Sequence, residues 1–60
     1  MSLTEEYRRF ENKRYHLLST HNTRRRAEEV AHNQRTKRVA PMYARIVEQR
    51  RKYHVYVRRK

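Results

Sequence analysis

Sixty residues carrying 17 Lys and Arg against 6 Glu, a net charge of +11, leave room for at most one domain and set self-repulsion against compaction. The absence of Cys and Gly excludes disulfide staples, thiolate zinc sites, cysteine nucleophiles, P-loops and dinucleotide fingerprints. Leu, Ile, Val and Phe number ten of the sixty residues, too few beside such a charge to offset ordering entropy, so the isolated chain is expected to be largely disordered and ordered by a partner.

Taken in chain order, Ser2-Leu3-Thr4-Glu5 fits a capping box, and Glu5 and Glu6 fall where a helix dipole favours negative charge. Leu3, Tyr7, Phe10, Arg14 and Leu17 then follow a four-three spacing, widened by Tyr15 and Leu18, which predicts an amphipathic helix over residues 3–18. Five polar residues, Ser19 to Thr23, either open the chain, with Asn22 or Thr23 capping a new helix, or lie within a continuous or kinked one; the balance favours the latter. A basic helix over 23–35 follows, with a thin stripe of Ala27, Val30, Ala31 and Gln34, and with Glu28 and Glu29 close enough to pair with Arg24, Arg25 or Arg26. Pro41 enforces a boundary, giving a connector over 36–40 and an N-terminal proline for a second helix over 41–52, in which Met42, Tyr43, Ile46, Val47 and Arg50 recur at helical spacing. Tyr53-His54-Val55-Tyr56-Val57 switches to alternation rich in aromatic and β-branched residues. Residues 53–60 therefore read as an extended basic tail that pairs with another molecule. The predicted fold class is mostly α: one extended, non-globular chain over 1–60 with a long N-terminal helix, a connector, a short second helix, a basic arm and no independent core.

The charge points to a polyanion. Thirteen of the cations are Arg, whose guanidinium forks onto phosphates and stacks on bases more readily than an ammonium does. The predicted RNA-binding residues are Arg24, Arg25, Arg26, Arg35, Lys37, Arg38, Arg45, Arg50, Arg51, Lys52, Arg58, Arg59 and Lys60, with Arg24-Arg25-Arg26 at the centre. Tyr53 and Tyr56, set among these cations, are candidates for stacking on unpaired bases. The predicted protein-docking set is Leu3, Tyr7, Phe10, Leu17, Leu18, Tyr43, Ile46 and Val47. None of His16, His21, His32 and His54 stands at the i, i+4 spacing of a helical metal site, and no Ser, His or Glu composes a catalytic arrangement. No enzyme activity, metal, cofactor or small-molecule substrate is expected. No run approaches the roughly twenty apolar residues of a membrane span, and the N-terminus lacks a signal peptide's apolar region, while Glu5 and Glu6 argue against an uncleaved mitochondrial presequence.

In composition the chain resembles the small, Arg-rich, Cys-free accessory proteins of ribosomes, cytosolic or organellar, that thread between rRNA segments. The resemblance implies a structural rRNA-binding component that neutralises phosphates and bridges RNA to neighbouring proteins, without homo-oligomerisation. On this reading it resides on a ribosome in the cytoplasm or an organelle such as the mitochondrial matrix. Two other classes share the composition: a peripheral subunit of a large organellar complex that meets acidic subunits or anionic lipid, and a small DNA-packaging protein.

Overall fold

The computed structural model describes residues 7–60 and runs β1 (Tyr7–Phe10), β2 (Lys13–His21), α1 (Arg24–Thr36), β3 (Met42–Gln49) and β4 (Lys52–Arg59). All strand pairings are antiparallel, in the order β1-β2-β4-β3. The mostly α, extended, coreless chain expected from composition is therefore overturned: the molecule is a four-stranded sheet with one helix. Its radius of gyration is 11.2 Å, close to the roughly 10 Å of a folded 60-residue domain and far from the roughly 23 Å of an unfolded one.

Two hairpins without glycine account for the difference. Glu11 and Asn12 link β1 to β2 with φ of 52° and 66°, and Arg50 and Arg51 link β3 to β4 with φ of 51° and 63°. A two-residue loop with positive φ at both positions is the type I′ signature, whose twist matches that of the flanking strands. The helix predicted over 3–18 is thus replaced, where the chain is described, by a hairpin; the capping box and Leu3 lie outside the described residues. Burial decides against the helix. On one helical stripe the aromatic residues would have nothing to cover them, whereas in the hairpin Tyr15 is buried and meets Phe10 edge-on at a centroid distance of 5.1 Å. The helix predicted over 41–52 is likewise β3 and the Arg50-Arg51 turn, and Pro41 precedes a strand. The basic tail over 53–60 is not an arm awaiting another molecule. It lies in β4, paired with both β2 and β3, and Val55, Tyr56 and Val57 are fully buried.

The helix begins after Ser19–Thr23 rather than running through it. Residues 19–21 finish β2, and Thr23 is the N-cap: its hydroxyl accepts from the Arg26 amide at 3.3 Å, and its carbonyl accepts from the Ala27 amide at 3.3 Å. At the other end the Lys37 amide donates to the Asn33 carbonyl at 3.1 Å, and Ala40, at φ 50°, turns the connector into Pro41 and β3.

Both sheet faces bury apolar surface. On one, Ala27 and Ala31 of α1 are fully buried and pack on Ala44, Val55 and Val57, with Val30, Met42, Ile46 and Tyr53 around them. Alanine on both sides lets helix and sheet approach closely, so the thin stripe on α1 is sufficient for a core. On the other face Phe10 contacts Tyr56 at a centroid distance of 6.0 Å as well as Tyr15. The Arg45 guanidinium stands 5.6 Å from the Phe10 centroid and donates to Glu11 at 2.9 Å. β1 and β3 are opposite edges of the sheet, about 14 Å apart were it flat, so these contacts require it to curl away from the helix. Leu18 supplies a bend: register shifts between Leu17 and Ser19, the mark of a β-bulge in β2.

Candidate nucleic-acid interface

All seventeen cations lie within the described residues, against four carboxylates, Glu11, Glu28, Glu29 and Glu48. Glu11 pairs with Arg45, Glu28 with Arg24 at 3.3 Å, and Glu29 with Arg26 at 3.5 Å. Among the described residues, these three pairs leave most of the cations without an ion-paired carboxylate. The scaffold divides the positive charge between the helix side and the open face of the curled sheet.

On the helix side, Arg24, Arg25 and Arg26 form the first turn of α1 and are exposed. That turn contains no acidic residue, so three cations stand where the helix dipole is itself positive. Arg35, predicted to bind RNA, donates to the Ala44 carbonyl at 2.7 Å and so fastens the end of α1 to β3, while Lys37 and Arg38 are exposed in the connector. Arg50 and Arg51 are exposed at the tip of the β3–β4 hairpin, and the Lys52 ammonium donates to the Asn22 side-chain oxygen.

The open sheet face brings together residues that the sequence kept apart. Tyr43 on β3 stands directly across from Arg58 on β4, and the Arg58 guanidinium and Lys60 ammonium lie 5.8 and 5.4 Å from the Tyr43 centroid. With Lys13, Arg45 and Glu11 they border an open recess of about 560 Å³ floored by Tyr15. Arg45 is held there by Glu11 and Tyr15, whose hydrogen bonds raise its pKa further. A second recess, of about 400 Å³, shares Tyr15, Tyr43, Arg45 and Lys60 and extends to Arg35.

Tyrosine roles differ from those predicted. Tyr56 is fully buried, so no face of its ring is open to a base, and Tyr53 is half-buried against the helix-side core. The ring that is open among the cations is Tyr43, 45% exposed, which helical spacing had assigned to protein docking. Its signal was present as strand alternation, since Met42, Ala44 and Ile46 take the helix-side core and leave Tyr43 and Arg45 for the other face. The predicted docking stripe does not form as one surface. Leu3 is outside the described residues, Phe10 packs on Tyr15 and Tyr56, Ile46 joins the core, Leu17 and Val47 are half-buried, Leu18 is in the bulge, and Tyr7 lies on an edge strand. Sequence reasoning also passed over Arg8, Arg9, Lys13 and Arg14, because they fall in the nearly neutral stretch read as an amphipathic helix over 3–18. Arg14 stacks over Tyr7 at 4.1 Å, and the four-residue cluster of Tyr7, Arg8, Arg9 and Arg14 encloses about 340 Å³.

His54 is buried on β4, and its Nδ1 is 2.9 Å from the hydroxyl of Thr20, its partner on β2. Burial, and then the charge of Arg8, lower its pKa, so it is held neutral. Among the described residues no group of three His, Cys, Asp or Glu is placed to hold a metal ion, and no helix is long and apolar enough to cross a membrane. Comparison with family models, curated proteins and solved structures gives no match.

Proposed function

We propose that this chain is an RNA-binding structural module of a ribonucleoprotein particle, of which a ribosome is one example, holding phosphates by charge and shape rather than by a base-sequence code. The observation that carries this reading is the chain's seventeen-to-six excess of cations over carboxylates, with all seventeen cations spread over both sides of an ordered scaffold. Folding brings these charges to about one-half of the chain's unfolded dimensions, which opposes its stability unless a polyanion offsets the repulsion. The arginine triplet points the same way. Cations in the first turn of a helix work against its dipole, so Arg24, Arg25 and Arg26 are better explained by a ligand than by helix stability.

Binding of a fluorescently labelled RNA hairpin, followed by anisotropy from about 50 to 200 mM salt, tests the reading, because each phosphate contact contributes roughly 0.7–0.9 to the log–log slope. A slope of about four or more, together with co-sedimentation of the protein with particles that is lost after RNase treatment, is the expected result. A nearly flat slope, or co-sedimentation that survives RNase, would instead favour an accessory subunit docked on protein.

A further inference from the structure

We infer that the open face of the curled sheet is a site for an unpaired nucleotide: the Tyr43 ring stacks on the base, and Lys13, Arg58 and Lys60 hold the phosphates on either side. This rests on the RNA-binding reading and adds to it which chemical form of nucleic acid the sheet face takes.

The geometry favours this face over the rest of the surface. Its recess of about 560 Å³ falls within the roughly 300–1,000 Å³ of sites that take small ligands, so a single base and sugar fit while a duplex does not enter. Tyr43 is the only exposed aromatic residue among the described ones apart from Tyr7. Tyr7 has Arg14 lying 4.1 Å from its centroid, at van der Waals contact, which leaves one ring face occupied. Arg58 and Lys60 lie over the Tyr43 ring at the longer centroid distances of 5.8 and 5.4 Å, and the residue stays 45% exposed. Tyr43 is fixed from below by its β3–β4 register opposite Arg58.

The charge of the recess is also ordered. Glu11 is its one carboxylate, and Arg45 is committed to it at 2.9 Å. Lys13, Arg58 and Lys60 line the recess as further donors, Arg58 and Lys60 at 5.8 and 5.4 Å from the Tyr43 centroid. Aromatic stacking recognises any base, and cations recognise any phosphate, so the site discriminates unpaired from paired strands rather than one sequence from another.

The same chemistry is offered by single-stranded RNA and single-stranded DNA, and the test separates them. Anisotropy titrations with labelled oligouridylate, oligothymidylate and a blunt RNA duplex of equal phosphate count are run on the wild type and on Tyr43→Leu, Tyr43→Phe, Arg58→Gln and Tyr7→Leu. The site predicts that Tyr43→Leu weakens both single strands by about 5- to 150-fold, the range of one lost stacking contact, with the salt slope unchanged. Tyr43→Phe keeps the ring and stays within about threefold of wild type, while Arg58→Gln lowers the single-strand slope by about 0.7. Duplex affinity moves little with Tyr43→Leu, and Tyr7→Leu leaves single-strand affinity within about twofold. Far-UV circular dichroism of each variant shows that the sheet is retained, and Tyr43→Phe and Arg58→Gln decide the matter should Tyr43→Leu unfold. Loss with oligouridylate alone would identify RNA as the source of the nucleotide, and loss with both would identify unpaired strands in general. Equal losses on duplex and single strand, or none on either, overturn the nucleotide site but leave the RNA-binding reading standing. Failure of the wild type to bind any of the three overturns both.

Discussion

Arg50 and Arg51 form a two-residue hairpin loop with φ of 51° and 63°, and the chain has no glycine to occupy either position. A side chain in left-handed backbone costs roughly 1–2 kcal/mol, because its Cβ crowds the following carbonyl oxygen. Arg51→Gly removes that term and loses about 0.4–1 kcal/mol of it to the freer unfolded chain. The net expectation is a gain of about 0.5–1 kcal/mol, which in a domain of this size raises Tm by about 2–8 °C. Pairing it with Arg50→Asn builds Asn-Gly, the dipeptide best suited to this turn, and adds to the gain, since Asn tolerates the left-handed region. Removing a charge from a chain at +11 would itself relieve repulsion, so Arg51→Gln is the control. It loses the charge and keeps the Cβ, and as a surface change is expected to stay within about 0.5 kcal/mol of wild type. Thermal unfolding followed by far-UV circular dichroism, with urea titrations alongside, gives all four values. A Tm for Arg51→Gly at or below wild type, or a gain that Arg51→Gln matches, would refute the turn as drawn.

Ala31 is fully buried between α1 and the sheet, so Ala31→Leu overpacks that seam and should lower the urea-derived stability by about 1–3 kcal/mol; a neutral result would mean that α1 does not lie against β3 and β4. His54 is held neutral below its ordinary pKa of about 6.5, so below that pH the unfolded chain binds a proton that the folded one refuses. Stability attributable to His54 is therefore complete above about pH 7.5 and declines as pH falls through 6.5; melts across this range should show the decline in the wild type and lose it in His54→Asn. Replacing Arg24, Arg25 and Arg26 together by Gln leaves helix propensity nearly unchanged and should reduce the RNA salt slope by about two to three units, with unchanged slope assigning the phosphate contacts to the sheet face.

Little of the fold was legible in the sequence, and the reasons are local. Tyr7, Phe10, Arg14 and Leu17 satisfy a helical spacing and two strands equally well, because the turn between the strands breaks the alternation that would distinguish them. The strongest hairpin signal is Asn-Gly or Asp-Gly, and this chain makes its turns with Glu11-Asn12 and Arg50-Arg51 instead, so the absence of glycine argued against the very structures present. Arg50-Arg51 in particular reads as the continuation of a basic helix. What the sequence did expose was the extended character of Tyr53 to Val57, whose aromatic and β-branched run lies at the centre of the sheet; Thr23, the helix N-cap, lay in a stretch through which a continuous helix was favoured. The strand's partners could not be read, since pairing between residues 34 apart, such as Thr20 with His54, leaves no trace in composition.

The curl of the sheet connects this fold to its candidate site. A flat sheet with α1 on one side would leave Phe10, Tyr15, Tyr56 and His54 as an exposed aromatic face, too large for a chain of this size to leave wet. Bending at the Leu18 bulge carries β1 across that face and brings Phe10 onto Tyr15 and Tyr56, while Arg45 from the far edge closes on Glu11. A fifth ring does not fit beneath. Tyr43, beyond Arg45 along β3 and across from Arg58, stays outside with about half its surface covered, beside Arg58 and Lys60. The contact that completes the second core is thus the one that separates structural from available tyrosines: Glu11→Gln should loosen Arg45 and free a further cation in the recess, so tighter binding of a single strand in that variant would tie the closure of the sheet to the strength of the site.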